Sequence, residues 1–303
     1  MPDLTATGTR LPAIAPAALP GKEEWGRLGL GVPGCAHPLL APTDWSELAR
    51  PGLPLHWVVL NVANGPGDRP DPHCLTAAGR LKNAGVRVLG HLDLAHGSRS
   101  FGELIADAHH YLEWYQVGGF LLDRCPTDRT DLTAVRRTVA TLEAIGDDAH
   151  LVLGHGSHPY PGYVEVADQL VTFAGSWAEY RWSQVAEWTA DYAPERFAHF
   201  VHGVPGTHLE EATRVARWHG AGTIFFTDRT TRVSRRDDRP GGEREGGGQG
   251  SGQGGRRKGR QEVVRTGRPL GRPGGRKGQI GPYETLPGYW DDIVSRIGPG
   301  VSE

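Results

Sequence analysis

Ten residues, Val117 to Pro126 (VGGFLLDRCP), constrain this chain most. A continuous apolar run stops abruptly at Asp123, Arg124 and Cys125, and a helical segment follows. A strand buried on both faces reads as an unbroken apolar run. In an α/β barrel its C-terminal end delivers polar side chains to the mouth. The same signature recurs along the chain, at Arg27–Gly34, Leu55–Asn61, Val86–Leu92, His150–Leu153, Gln169–Phe173, Phe197–His202 and Thr223–Asp228.

Helical segments separate these runs. One is expected to be capped at Thr43 or Asp44, and His73–Ala84 closes at Gly85 as a C-terminal glycine should. Others run from Ser100 to Tyr115, from Asp131 to Ile145, through Trp182 and Trp188, over Glu210–His219, and finally over Leu286–Ile297. About eight strand–helix units predict a single closed (β/α)8 TIM barrel rather than an open doubly wound sheet. Neither Gly-x-Gly-x-x-Gly between strand and helix nor a Walker A sequence is present, which argues against a nucleotide site.

Composition sets the edges. Residues 1–24, rich in Pro, Ala and Thr, read as a flexible tail, and 25–232 as the barrel. Residues 233–281 are Gly/Arg-rich and cannot supply a core, so they read as a disordered insertion before the closing helix of 282–303. That insertion holds 13 Lys/Arg against 5 Asp/Glu, or +8, within a chain of net charge −2, so the remainder carries −10. An acidic barrel is a poor nucleic-acid surface, and any such contact falls to the insertion. Three widely spaced cysteines form no disulfide framework, and no apolar run approaches a membrane span. The first 25 residues lack a signal-peptide pattern, which makes a cytoplasmic location the expectation.

In order along the chain stand NVANGPG (61–67), VRVLGHLDLAHGSRS (86–100), VGGFLLD (117–123), GYVEVADQLVTFAGSW (162–177), FAHFVHGVP (197–205), TDR (227–229) and PYETLPGYW (282–290). These motifs resemble the spherulation-specific family 4 (spherulin 4) proteins from about Gly29 to Ile297. The resemblance implies a TIM barrel of glycoside-hydrolase type, acting on galactosamine-containing polysaccharide; separately, no cofactor or resident metal is expected. It also implies a secreted alternative for location. Asp123 aligns as a catalytic carboxylate, and Asn61, Asn64, His91, Asp93, His96, His155, Trp177, His202 and Asp228 as substrate contacts at strand ends. There are four departures. Arg124 stands where the family has a second acidic residue, Ala174 replaces a Glu, Gly154-His155 replaces Asn-Pro, and His91 and His96 replace aromatics, usually Tyr.

Cleaving a glycosidic bond takes two carboxyl groups, one to protonate the leaving oxygen and one as nucleophile or base. Asp123 supplies one, and the aligned second is absent at Ala174. Asp93 and Asp228 are the substitutes to examine, and the structural alternative for Asp123 is a helix cap or an ion pair, for example with Arg124 or Arg129. Trp177, Tyr180 and Trp182 offer aromatic platforms for pyranose rings. Two other readings remain open. One is a carbohydrate-binding barrel without catalysis. The other is a metal-dependent hydrolase built from His91, Asp93, His155, His158, His202 and Asp228.

Overall fold

The computed structural model describes residues 28–230 and 281–298. The tail assigned to 1–24, and the Gly/Arg-rich segment of 233–281 except Gly281, lie outside the described residues. Eight parallel strands close into one barrel in strict sequence order. They are β1 Gly29–Val32, β2 Leu55–Leu60, β3 Val88–Asp93, β4 Gly119–Asp123, β5 His150–Gly154, β6 Gln169–Ser176, β7 Phe197–His202 and β8 Thr223–Thr227. Closure is made by β1 on β8, with Gly29 opposite Thr223 and Leu30 opposite Ile224. The expected barrel and its strand assignments are borne out.

Helices α1 Pro42–Leu48, α2 Pro72–Asn83, α3 Phe101–His110, α4 Leu132–Ile145, α5 Trp177–Tyr180, α6 Leu209–Trp218 and α7 Trp290–Ile297 occupy the connections and the return. No described helix is long and apolar enough to cross a membrane. At α2, Pro72 takes the first helical turn, where its missing N–H costs nothing, and Asp71 Oδ1 accepts the N–H groups of His73 and Cys74, each at 2.9 Å.

Three helix expectations are corrected. No long helix carries Trp182 and Trp188: α5 ends after Tyr180, because Trp182 and Ser183 donate to carbonyls only three residues back. Neither Thr43 nor Asp44 caps α1. Asp44 Oδ2 instead accepts the N–H of Leu286 at 2.9 Å, tying the returning segment to the start of the barrel. The closing helix begins at Trp290 rather than Leu286, following a turn through Pro287.

The barrel interior is filled at its N-terminal end. Trp57 Nε1 donates to Gln169 Oε1 at 3.0 Å, and Gln169 Nε2 donates to Thr223 Oγ1 at 2.8 Å. The indole occupies the space over Gly31, where a Cβ would come within 2.5 Å of it. Phe200 meets Trp57 edge to face at 5.9 Å. This plug leaves the C-terminal mouth as the concave end, where barrels place their chemistry. Part of the mouth is roofed by the returning segment. Tyr283 Oη donates to Phe200 O, and its ring stands 5.9 Å from His202 and 6.3 Å from Phe225.

Candidate functional site

Side chains alternate along each strand, so the register that sets Asp93 opposite Asp123 and His91 opposite Leu121 turns His91, Asp93 and Asp123 to the same inner face. These three expected site residues are brought together. Asp123 is buried, and both of its oxygens are engaged. Oδ1 accepts the Arg124 N–H at 2.8 Å, and Oδ2 lies 3.3 Å from His91 Nε2. His91 Nδ1 is buried with no hydrogen-bond partner among the described residues.

Neither arginine offered as an alternative ion partner pairs with Asp123 through its side chain. Arg124 gives Asp123 only its backbone N–H, and its guanidinium grips Asp93. Arg124 Nε donates to Asp93 Oδ1 at 2.7 Å, and Nη2 donates to Oδ2. Arg129 instead lies over the Tyr160 ring. The reason is backbone conformation: Arg124 sits at φ +52°, which swings its side chain back across β3. Ala95 and His96, facing it in the β3 loop, are also left-handed, at φ +47° and +57°. The two loops are laced together. Leu94 N–H donates to Asp123 O, His96 N–H to Arg124 O, and Ala95 N–H to Asp93 Oδ1. Burial alone would raise the Asp93 carboxyl, but Arg124 and the Ala95 N–H outweigh it and hold it below the usual carboxylate range.

Between Asp123 and Ala174 the floor is glycine. A Cβ on Gly154 would stand 3.3 Å from Asp123 Oδ1, and one on Gly156 would stand 3.5 Å from the Ala174 methyl.

The other expected contacts are dispersed. Asn61 Oδ1 accepts the Gly65 N–H at 3.2 Å and shapes the β2 loop, while Asn64 is exposed on that loop at φ +58°. His96 is exposed beside the Arg124 loop. His155 is buried, with Nδ1 3.0 Å from Pro126 O and its ring 4.8 Å from Tyr163, so it braces loops. Burial pushes it down to about 3 and keeps it neutral. Trp177 is 6% exposed, packed near Tyr180 and His208 with the Arg181 guanidinium 5.5 Å from its ring, and presents no open platform. Trp182, in contrast, is 80% exposed. His202 lies at the mouth next to Tyr283. Asp228 Oδ1 accepts the Gly288 N–H at 3.2 Å and holds the returning segment. The metal set drawn from strand-end histidines does not assemble among the described residues.

One carboxylate escaped the sequence reading. Glu179 accepts from Ser176 N–H at 2.9 Å and from Ser176 Oγ at 2.7 Å, a reciprocal cap at the tip of β6. Its signal was visible as Ser176-Trp177-Ala178-Glu179, the S-x-x-E of a capping box.

A family model described as spherulation-specific family 4 matches residues 32–236. Spherulin-4 of Physarum polycephalum is 25% identical over 149 residues, which is 48% of this chain and only 45% of that relative. The crystal structure of Aspergillus clavatus Sph3 in complex with GalNAc superposes with a TM-score of 0.65 at 20% identity, covering 90% of this chain and 98% of that one. The glycoside hydrolase domain of PelA from Pseudomonas aeruginosa matches more loosely, with a TM-score of 0.40 at 18% identity over 61% of this chain and 90% of that domain.

Proposed function

This chain belongs to the spherulation-specific family 4, and on that premise we propose that its barrel mouth holds an amino-sugar polysaccharide or oligosaccharide without hydrolysing it. Support for the sugar comes from family membership and from the GalNAc bound by Sph3, which shares this fold. The observation that carries the binding-only form is the grip of Arg124 on Asp93. Of the strand-end carboxylates, Asp123 is engaged by His91 and the Arg124 N–H, Asp228 holds Gly288, and Glu179 is taken up in the cap with Ser176. Asp93 is a fixed anion, and Ala174 carries no acid. A general acid must hold a proton near working pH, which an arginine-paired carboxyl does not.

Calorimetric titration with galactosamine and N-acetylgalactosamine oligomers, alongside a reducing-end assay, tests this. Saturable binding without product release is expected. Absence of binding overturns the sugar. Product release that Asp123→Asn abolishes overturns the binding-only form.

A gain of function is a second expectation. Strands two apart place Cα atoms roughly 10 Å from each other. A glutamate at 174 would reach toward Asp123 over the glycine floor, into the separation that glycosidases use. In a folded Ala174→Glu variant, product release should rise above the parent. The reserve for one acid–base group is about 10²–10⁴-fold. No rise would mean that the sugar does not lie between these two strands.

A further inference from the structure

On the rim of the mouth, away from Asp123, three side chains of different ligating chemistry converge. His37 comes from the loop after β1, Asp71 is the N-cap of α2, and Cys74 is three residues further on. One ligand atom from each lies within 4.8 Å of the other two, and His37 Nε2 is 3.3 Å from Asp71 Oδ2.

The set is held in place by its surroundings. Asp71 Oδ1 is occupied by the N–H groups of His73 and Cys74, which leaves Oδ2 directed at His37. The Asp71 N–H donates to Tyr115 Oη at 3.0 Å, and that buried hydroxyl donates to Pro66 O at 3.0 Å. Ligands oriented by such outer contacts are characteristic of sites built to bind metal. Cys74 is 1% exposed. His37 and Asp71 also line a cavity of about 860 Å³ together with Val62, Ala63 and the Gly67–Pro72 loop.

We infer that His37, Asp71 and Cys74 bind one divalent cation of the zinc class, with the fourth position open to this cavity. The inference does not rest on the sugar reading. Tetrahedral zinc with bonds of about 2.0–2.3 Å sets its ligand atoms roughly 3.3–3.7 Å apart. The His37–Asp71 gap of 3.3 Å already meets this, and because all three ligand atoms lie within 4.8 Å of one another, at most about 1 Å remains to be closed. Thiolate and imidazole select zinc-class ions over magnesium or calcium. One thiolate and one carboxylate balance the double positive charge of the ion.

The protons also balance. Burial, then the Asp71 charge, pushes the Cys74 thiol up to about 12, so it is protonated as it stands. His37 Nδ1 accepts the Leu39 N–H at 3.3 Å, which puts the imidazole proton on Nε2 facing Asp71. Metal binding releases the thiol proton to solvent and moves the imidazole proton from Nε2 to Nδ1, which gives up the long Leu39 hydrogen bond.

The test is cobalt(II) titration of the tag-free chain after chelator treatment. The expected result is one equivalent of cobalt with visible tetrahedral bands and a near-ultraviolet thiolate charge-transfer band, both erased by zinc. His37→Ala, on a partly exposed loop, should weaken cobalt binding by at least about tenfold. Cys74→Ser should remove the charge-transfer band. Circular dichroism verifies that each variant is folded, and His37→Ala alone decides the matter if the buried cysteine does not tolerate replacement. No cobalt spectrum, unchanged affinity in His37→Ala, or a charge-transfer band that survives in Cys74→Ser overturns the site.

Discussion

Replacing Arg124 by alanine is expected to lower the melting temperature by roughly 4–16 °C. Asp93 is 6% exposed, and two guanidinium nitrogens engage its carboxylate. Removing one partner of a fully buried ion pair costs about 3–5 kcal/mol, because the other charge remains desolvated. The Arg124 side chain is 27% exposed, so water softens the loss to roughly 2–4 kcal/mol. A domain of this size shifts by about 2–4 °C per kcal/mol.

Two companions separate causes. Arg124→Gly also removes the clamp but accepts φ +52° without strain, so it should recover about 1 kcal/mol over alanine. Adding Asp93→Asn to Arg124→Ala removes the stranded charge and should restore part of the loss. The pH dependence should also invert. In the parent, the depressed Asp93 carboxyl contributes stability above its unfolded value, near 4, and that stability is lost as pH falls through the folded value. In Arg124→Ala, burial dominates and raises the carboxyl, so the variant should lose relative stability as pH rises from about 4. A single variant melting within a degree or two of the parent would show that the clamp contributes nothing.

The barrel was legible because parallel strands are buried on both faces, so the Leu121-Leu122-Asp123 signature recurs at each tip. Helix assignments failed where the pattern was ambiguous. Trp182 and Trp188 suit a buried helical face, yet the chain around them is a 3₁₀ turn and loops. At the site, the pattern of apolar runs ending in polar residues put His91, Asp93 and Asp123 at strand ends. It could not indicate that Arg124 reaches Asp93 rather than Asp123, because that choice is made by one backbone dihedral. Nor could it show that His155 and Trp177 are covered, since their covers, Tyr163 and His208, belong to loops after other strands. His37, Asp71 and Cys74 meet only because β1 and β2 are neighbours, and their spacing matches no motif.

Mild acid is expected to destabilise this barrel through its buried histidines. His199 is 2% exposed between Thr172 Oγ1 at 3.0 Å and Tyr180 Oη at 2.8 Å. Either hydroxyl can donate or accept, so a neutral imidazole is satisfied in both tautomers. Burial first, then nearby His219 and His158, pushes His199 down to about 3, matching the value to which burial takes His155. His150, less deeply buried, falls to about 4. In the unfolded chain these groups bind protons near pH 6.5. Below that the unfolded state holds more protons than the native one, so stability is complete above about 6.5 and declines as pH falls toward the folded values.

At pH 4.5 each fully buried histidine accounts for roughly 2–3 kcal/mol. Two of them together approach the lower end of the 5–15 kcal/mol that holds a typical domain folded. Asp93 and Asp71 are held below the usual carboxylate range, so their share is lost only at lower pH. Burial raises the Glu284 carboxyl, which gains stability as pH falls, so a loss of stability over the interval between about 6.5 and 4.5 reports the histidines. Urea midpoints measured across it should fall steadily in the parent. His199→Gln, which keeps hydrogen-bonding groups but binds no proton, should show a shallower slope despite starting less stable. A parent midpoint that stays level through this interval would mean that these histidines are protonated, and hydrated, within the native fold.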